Sequence, residues 1–342
     1  MSNAYQRLRT ALAAAFALLL AGSGGVLADP IADFYAGKQI TFIVGSDPGG
    51  GYDAQARLVA RHLSRFIPGH PTVLVQNMPG AGSVLMSNRI ANTAAKDGTV
   101  IGLVQRGILL SQLTAQPGIH YDVGSFNWIG SIASETLVML VRKDAPVTSA
   151  EDMLTKELVV GGAGATSDAE AMSRLLNATI GSKLKIVSGY AGSNDIMLAA
   201  ERGELQGGVL SWSNVKLKGL QRTMRVLIQT GMTKEPDLPD VPLAIDFVKT
   251  DIDRKVAELW FTQLTVARPI MAAAEVPPDR LAALRTAFTE MAKDEQFLAD
   301  AAKSKLEVSP VAHEVIDRFV ALTKAASPEV ARRLTEILNP KG

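Results

Sequence analysis

The stretch QITFIVGSDPGGGYD, residues 39–53, carries the clearest architectural signal in the chain. Gln39 to Gly45 is rich in β-branched and aromatic residues and reads as a strand. Asp47-Pro48-Gly49-Gly50-Gly51 then forces a tight loop, because proline fixes φ and glycine tolerates backbone angles that other residues avoid. A helix is expected from about Asp53 to Phe66, with Ala56, Val59, Leu63 and Phe66 on one face and Asp53 as its N-cap. Strand, glycine loop and helix in that order open a right-handed βαβ unit and a mostly parallel sheet.

The same pattern continues outward. Val73 to Gln76 is a second strand, Pro79-Gly80-Ala81-Gly82 a second glycine loop, and Ser83 starts a helix running to about Asn92. Thr99 to Val104 is a third strand after the Asp97-Gly98 turn. The pattern then restarts, with strands at Leu137 to Val141, Leu158 to Val160, Lys185 to Val187, Gly207 to Leu210 and Arg225 to Ile228. A third glycine loop, Gly161 to Ser167, leads into a helix carrying Met172, Leu175, Leu176 and Thr179 at helical spacing. Trp260 to Val266 reads as a strand returning to the first unit. After Pro277-Pro278 the chain is helical, and helices at about Ala312 to Lys324 and Pro328 to Leu338 close it.

Composition narrows the function. The chain has 342 residues, 47% apolar and 20% charged, and a net charge of +1. That balance excludes a strongly basic nucleic-acid binder. With no cysteine there is no disulfide, thiolate metal site, thiol nucleophile or lipid-modified cysteine. The four histidines, His62, His70, His120 and His313, are scattered, so a His-rich metal centre is not indicated. At the N-terminus, Arg7 and Arg9 precede the apolar run Ala11 to Ala21, and small residues lead to Ala28. A run that short, against the roughly 20 residues of a membrane-spanning helix, reads as a signal peptide cleaved after Ala28. The expected mature chain starts at Asp29, carries a net charge of −1 and resides in the periplasm.

Glycine loops between a strand and a helix N-terminus bring backbone N–H groups and positive dipole ends together, which suits a carboxylate or phosphate. Three such loops occur, at 46–52, 79–83 and 161–167. None ends in the Gly-Lys-Ser/Thr of a phosphate-binding NTPase loop. The run Gly162 to Ser167 imitates a dinucleotide fingerprint, but the next strand ends Val187-Ser188-Gly189 without the acid that would hold a ribose. There is no G-x-S-x-G elbow, and His313-Glu314 lacks the second histidine of a zinc protease. Arg106, just past the third strand, is a candidate bidentate clamp for a second ligand carboxylate, with a surface or inter-lobe salt-bridge arginine as the other reading. Ser211, Trp212 and Asn214 follow another strand end, and Ser211 is a further candidate ligand contact. There Trp212 is either a cleft wall or a core residue.

In order, the motifs resemble those of the substrate-binding proteins of tripartite tricarboxylate transporters, the Bug/TctC family. They are Pro48-Gly49-Gly50-Gly51-Tyr52-Asp53, Asn77-Met78-Pro79-Gly80-Ala81-Gly82, Ala94-Ala95-Lys96-Asp97-Gly98-Thr99, Gly164-Ala165-Thr166-Ser167, Tyr190-Ala191-Gly192, Gly203-Glu204-Leu205-Gln206-Gly207 and Leu238 to Pro242. The resemblance spans the mature chain. It implies a two-lobed, hinged α/β fold of the type II periplasmic-binding-protein kind, each lobe a mixed, mostly parallel sheet flanked by helices. It also implies capture of a small organic acid by lobe closure, and delivery to membrane permease subunits by a monomeric receptor that is not an enzyme. No metal, cofactor or nucleic acid is implied. By position, the resemblance assigns ligand contacts to Pro48, Gly49, Gly50, Tyr52 and Asp53 in one lobe, and to Gly164, Ala165, Thr166 and Ser167 in the other.

Three departures bear on the ligand: Asp47 precedes Pro48 where many members have a second proline, Tyr52 replaces a small residue, and Asp168 replaces a histidine. Asp168 reads as a first-turn acid favoured by the helix dipole. The expected lobes are 29–135 plus 253–342, and 136–252, with the hinge at the crossings near 136 and 253. A sensory subunit reporting to a membrane kinase, and a periplasmic enzyme using Asp53 or Asp168 as base, are the alternatives.

Overall fold

The computed structural model describes residues 29–164, 167–190 and 192–338; the expected signal peptide, Ala165, Thr166 and Ala191 lie outside them. The described strands are β1 (Gln39–Val44), β2 (Thr72–Asn77), β3 (Val100–Leu103), β4 (Asn127–Ser131), β5 (Leu137–Arg142), β6 (Leu158–Gly162), β7 (Leu184–Ser188), β8 (Gly207–Ser211), β9 (Met224–Gln229), β10 (Pro269–Ala272) and β11 (Val311–Ala312). They form two sheets, in the orders β11-β4-β10-β3-β1-β2 and β7-β6-β8-β5-β9. The chain thus crosses from the first sheet to the second after β4 and returns before β10.

Both sheets are mixed. β1 pairs in parallel with β2 and β3, and β6 with β7 and β8, whereas the pairings of β5, β10 and β11 are antiparallel. Parallel pairing is confined to the βαβ units, yet most strands of each sheet run the same way, β1 to β4 in the first and β6 to β9 in the second, as the sequence leads one to expect. The reversed strands β5 and β10 are the first to enter a sheet after each crossing, so no crossover helix sets their direction.

Ile40, Phe42 and Val44 of β1 are fully buried, as are Val138, Met139 and Leu140 of β5, giving each sheet an apolar centre. Each such side chain contributes about 1.5–3 kcal/mol of burial. The helix Gly51–Leu63 buries Ala56, Val59 and Leu63 as its spacing predicts, while Phe66 falls in a following 3-10 turn, Ser64–Phe66.

The strand expected at Trp260 to Val266 is instead the end of a helix, Asp251–Thr262, and a 3-10 turn, Gln263–Val266. Thr250 caps that helix by accepting the Asp253 N–H at 3.2 Å. Val256, Leu259 and Trp260 bury one face, a helical period hidden inside a β-branched and aromatic run. The returning strand is β10, begun by Pro269.

The last helix, Pro328–Leu338, has the expected bounds and packs against the helices Asp251–Thr262 and Asp168–Ile180. Its Arg333 bonds the Asp253 carboxylate at 2.9 Å and the Ala178 carbonyl at 3.1 Å. Among the described residues, no helix is long and apolar enough to cross a membrane.

Candidate functional site

The loop after β1 is shaped from beneath by Asp53. Its buried carboxylate accepts the Gly49 N–H at 2.9 Å, Asn77 Nδ2 at 2.9 Å and Arg57 Nε at 3.0 Å. The Arg57 bond outweighs burial and, with those from Gly49 and Asn77, holds the carboxyl down at about 2. Asp53 is therefore a brace rather than the expected N-cap; Gly50 holds the cap position, without a side-chain capping bond. Asn77 ends β2, the parallel neighbour of β1, and also donates to the Ser46 carbonyl at 3.1 Å. The Gly49 N–H that the sequence offers to a ligand is thus taken by the protein's own acid. Pro48, Gly49 and Gly50 are exposed at the loop tip.

The loop 79–83 stands behind this one and buttresses it. Gly80, Ala81, Gly82 and Ser83 all have positive φ, the last at 78° although it is fully buried. Ser83 Oγ donates to the Gly45 carbonyl at 2.8 Å and accepts the Gln105 N–H at 3.0 Å, tying the ends of β1 and β3 together.

The second lobe repeats the brace. Glu170, 2% exposed, accepts the Gly164 N–H at 3.1 Å and Ser188 Oγ at 2.8 Å, and pairs with Arg174 four residues on. Ser188 ends β7, the parallel neighbour of β6, as Asn77 ends β2. Gly164 has φ +96°, which favours glycine, and Ser167 caps the helix Asp168–Ile180 by accepting the Glu170 N–H at 3.3 Å. Ser167 and Gly164 are thus committed to the loop itself. Sequence reasoning missed Glu170. Its signal is an acid in the first helical turn with an arginine at i+4, the same signature as Asp53 and Arg57.

Between the two loops lies a network of charged side chains. Arg106, buried as it follows β3, donates to Glu135 at 3.0 Å and pairs with Asp168 at the start of the second-lobe helix. Burial opposes its charge, but Asp168 and Glu135 outweigh this and raise its pKa above the ordinary arginine value. The guanidinium expected to meet a ligand is therefore engaged by two protein carboxylates, one of them across the cleft.

Arg268, just before β10, donates to the other Glu135 oxygen at 3.0 Å and to the Ala267 carbonyl at 3.0 Å. Its guanidinium lies over the Tyr52 ring at 4.1 Å, and a Cβ on Gly51 would sit 3.9 Å from its Nη2. Tyr52 donates to the Ala267 carbonyl at 3.2 Å and accepts the Arg106 N–H at 3.3 Å. Arg268 thus stands beside the uncapped N-terminus of Gly51–Leu63. The misread strand at Trp260 to Val266 concealed it, although an arginine before proline at a strand start was the signal.

Ser211 lies at the end of β8, where its Oγ accepts from Asn214 Nδ2 at 2.8 Å. Trp212 is buried, and its Nε1 donates to Asp237 at 3.3 Å, an acid also bonded to Lys216 at 2.9 Å. Nearby Glu307, from the first lobe, has its carboxyl pushed up by burial, against Lys216 and with Glu235, Glu135 and Asp237 adding to the rise. Gln55 Nε2 donates to the Glu307 carbonyl at 2.9 Å.

The comparisons with known proteins agree with this architecture. The family model of the tripartite tricarboxylate transporter family receptor, TctC, matches residues 56–334. The protein encoded in the tcbD–tcbE intergenic region of a Pseudomonas species is 26% identical over 218 residues, 61% of this chain, which spans 63% of that protein's length. A TctC solute-binding protein from Polaromonas, solved without ligand, superposes with a TM-score of 0.68 at 17% identity, over 90% of this chain and all of that one. An adipate-bound protein of R. palustris superposes with a TM-score of 0.60 at 19% identity, over 87% of this chain and 97% of that one. These superpositions carry the two-lobed fold, and the family model, matching most of the chain, carries membership: the chain belongs to the tripartite tricarboxylate transporter receptor family.

Proposed function

We propose that this receptor captures a small organic acid between its lobes, outside the cytoplasmic membrane, and delivers it to permease subunits of a tripartite tricarboxylate-type transporter. One observation supports this most: the Gly51–Leu63 helix starts without a side-chain cap, and the Arg268 guanidinium stands beside that start on the Tyr52 ring. Helix N–H groups and a planar cation converging on one point form a carboxylate seat. The adipate bound to the R. palustris relative is a small organic acid of this kind. The proposed lobes are 29–135 plus 253–327, and 136–252 with the last helix riding on the second. A carboxylate held near 2 by three donors is a poor proton acceptor, which weighs against Asp53 as the base of an enzyme.

The test is a thermal-shift screen of residues 29–342 against mono-, di- and tricarboxylates. A bound acid at a hundred times its Kd stabilises the fold by about 2.7 kcal/mol. A shift for one narrow class is the expected result, and none for any carboxylate overturns the reading.

A further inference from the structure

We propose that Asp168 is an intramolecular carboxylate that occupies Arg106, latching the lobes together and selecting against ligands with a second carboxylate. The selectivity half rests on the organic-acid reading above; the latch half does not.

The geometry is specific. Arg106 belongs to the first lobe, is 7% exposed, and offers its guanidinium to Glu135 on one side and Asp168 on the other. Glu135 is itself shared with Arg268, so two arginines face two acids and their charges cancel. Asp168 is the first residue of the second-lobe helix Asp168–Ile180, and its side chain is half-exposed where it enters the cleft. It is therefore the one member of the quartet brought from the opposite lobe. A ligand acid seated at Arg268 and the Gly51–Leu63 N-terminus meets a neutralised Arg106 farther in. A second carboxylate there must expel Asp168 from the arginine or lie against its charge, and both cost affinity. A neutral or donor-bearing far end meets no such opposition.

The chain has no cysteine, so spin labels can be placed at will. Arg89→Cys and Glu201→Cys put one label on an exposed helix position of each lobe. Pulsed electron paramagnetic resonance on the ligand-free protein is expected to show one inter-lobe distance with Asp168 present. A longer component should appear in Asp168→Asn and largely disappear in Asp168→Glu. Calorimetry with adipate and monomethyl adipate then reads selectivity. The unmodified chain should favour the monoester at least tenfold, and Asp168→Asn should remove that preference.

An inter-lobe distance unchanged by Asp168→Asn, in protein with native circular dichroism, overturns the latch. Adipate binding as tightly as its monoester, with the ratio unmoved in Asp168→Asn, overturns the selectivity. A distance change with no binding of either compound upholds the latch and overturns the selectivity, while the organic-acid reading stands or falls by the thermal-shift screen.

Discussion

Glu170 accepts the backbone N–H of Gly164 at 3.1 Å, which fixes the second-lobe loop by an acid buried beneath it. Asp53 does the same for Gly49 at 2.9 Å in the first lobe. In each case the acid is in the first helical turn, an arginine sits four residues on, and a polar side chain reaches over from the end of the neighbouring parallel strand. The two lobes share no evident sequence repeat. They converge on one solution because a glycine loop is floppy until its free N–H groups find fixed acceptors.

Replacing Asp53 with Asn turns one acceptor oxygen into a donor facing other donors. Asp53→Asn should lower stability by about 1–3 kcal/mol at pH 7. The folded value of about 2 lies below the ordinary ~3.9, so the contribution of the carboxylate is full above about pH 4 and lost as pH falls towards 2. Chemical denaturation of both proteins across that range checks it; a difference independent of pH would refute the brace.

Glu170→Gln leaves Arg174 beside a neutral amide in a buried setting. A loss of about 2–4 kcal/mol is expected. Urea unfolding measures it, and a change under 0.5 kcal/mol would show that the Gly164 loop does not depend on this acid.

Arg268→Lys keeps the charge but removes the planar fork shared between Glu135 and Ala267 and the stacking on Tyr52. Affinity for the acid found by thermal shift should fall at least tenfold by calorimetry. An unaltered Kd would move the carboxylate seat away from Arg268.

Glu307 behaves in the opposite sense to Asp53. Burial raises its folded pKa, so ionisation costs stability at neutral pH, and the penalty is relieved as pH falls through the folded value. Glu307→Gln should therefore stabilise the protein at pH 7 and lose its advantage in acid. Melting temperatures at pH 7 and pH 4 give the comparison, and a destabilised variant at pH 7 would contradict it.

Gly45→Ala tests the buttress. A Cβ there would lie 2.2 Å from Ser83 Oγ, so Ser83 must move and lose its bonds to Gly45 and Gln105. A cost of about 1–3 kcal/mol should appear as a lower melting temperature. A neutral substitution would show that Ser83 is free to shift.

The opening strand, glycine loop and helix were legible because their signals are local: β-branched residues, a Pro-Gly run, and apolar residues at helical spacing. The last helix was equally plain, with Pro328 at its first position and Val330, Leu334 and Ile337 on one face. Trp260 to Val266 was not, since a short aromatic and β-branched run carries both periods and only the Thr250 cap and packing decide between them. Of the proposed contacts, Tyr52 and Arg106 meet in space, while Gly49, Gly164 and Ser167 prove bonded within their own loops.

The alternation of strands and helices, the three glycine loops and the family are all written in local sequence, because backbone permissiveness and side-chain periodicity act over a few residues. What those loops face emerges only when the chain is packed. Arg106, Glu135, Asp168 and Arg268 are scattered along the chain, and Glu135 meets Arg268 across 133 positions. No local pattern encodes such a meeting. The charge of a cleft follows from which lobes and strand ends converge, and convergence is fixed only when both sheets are packed.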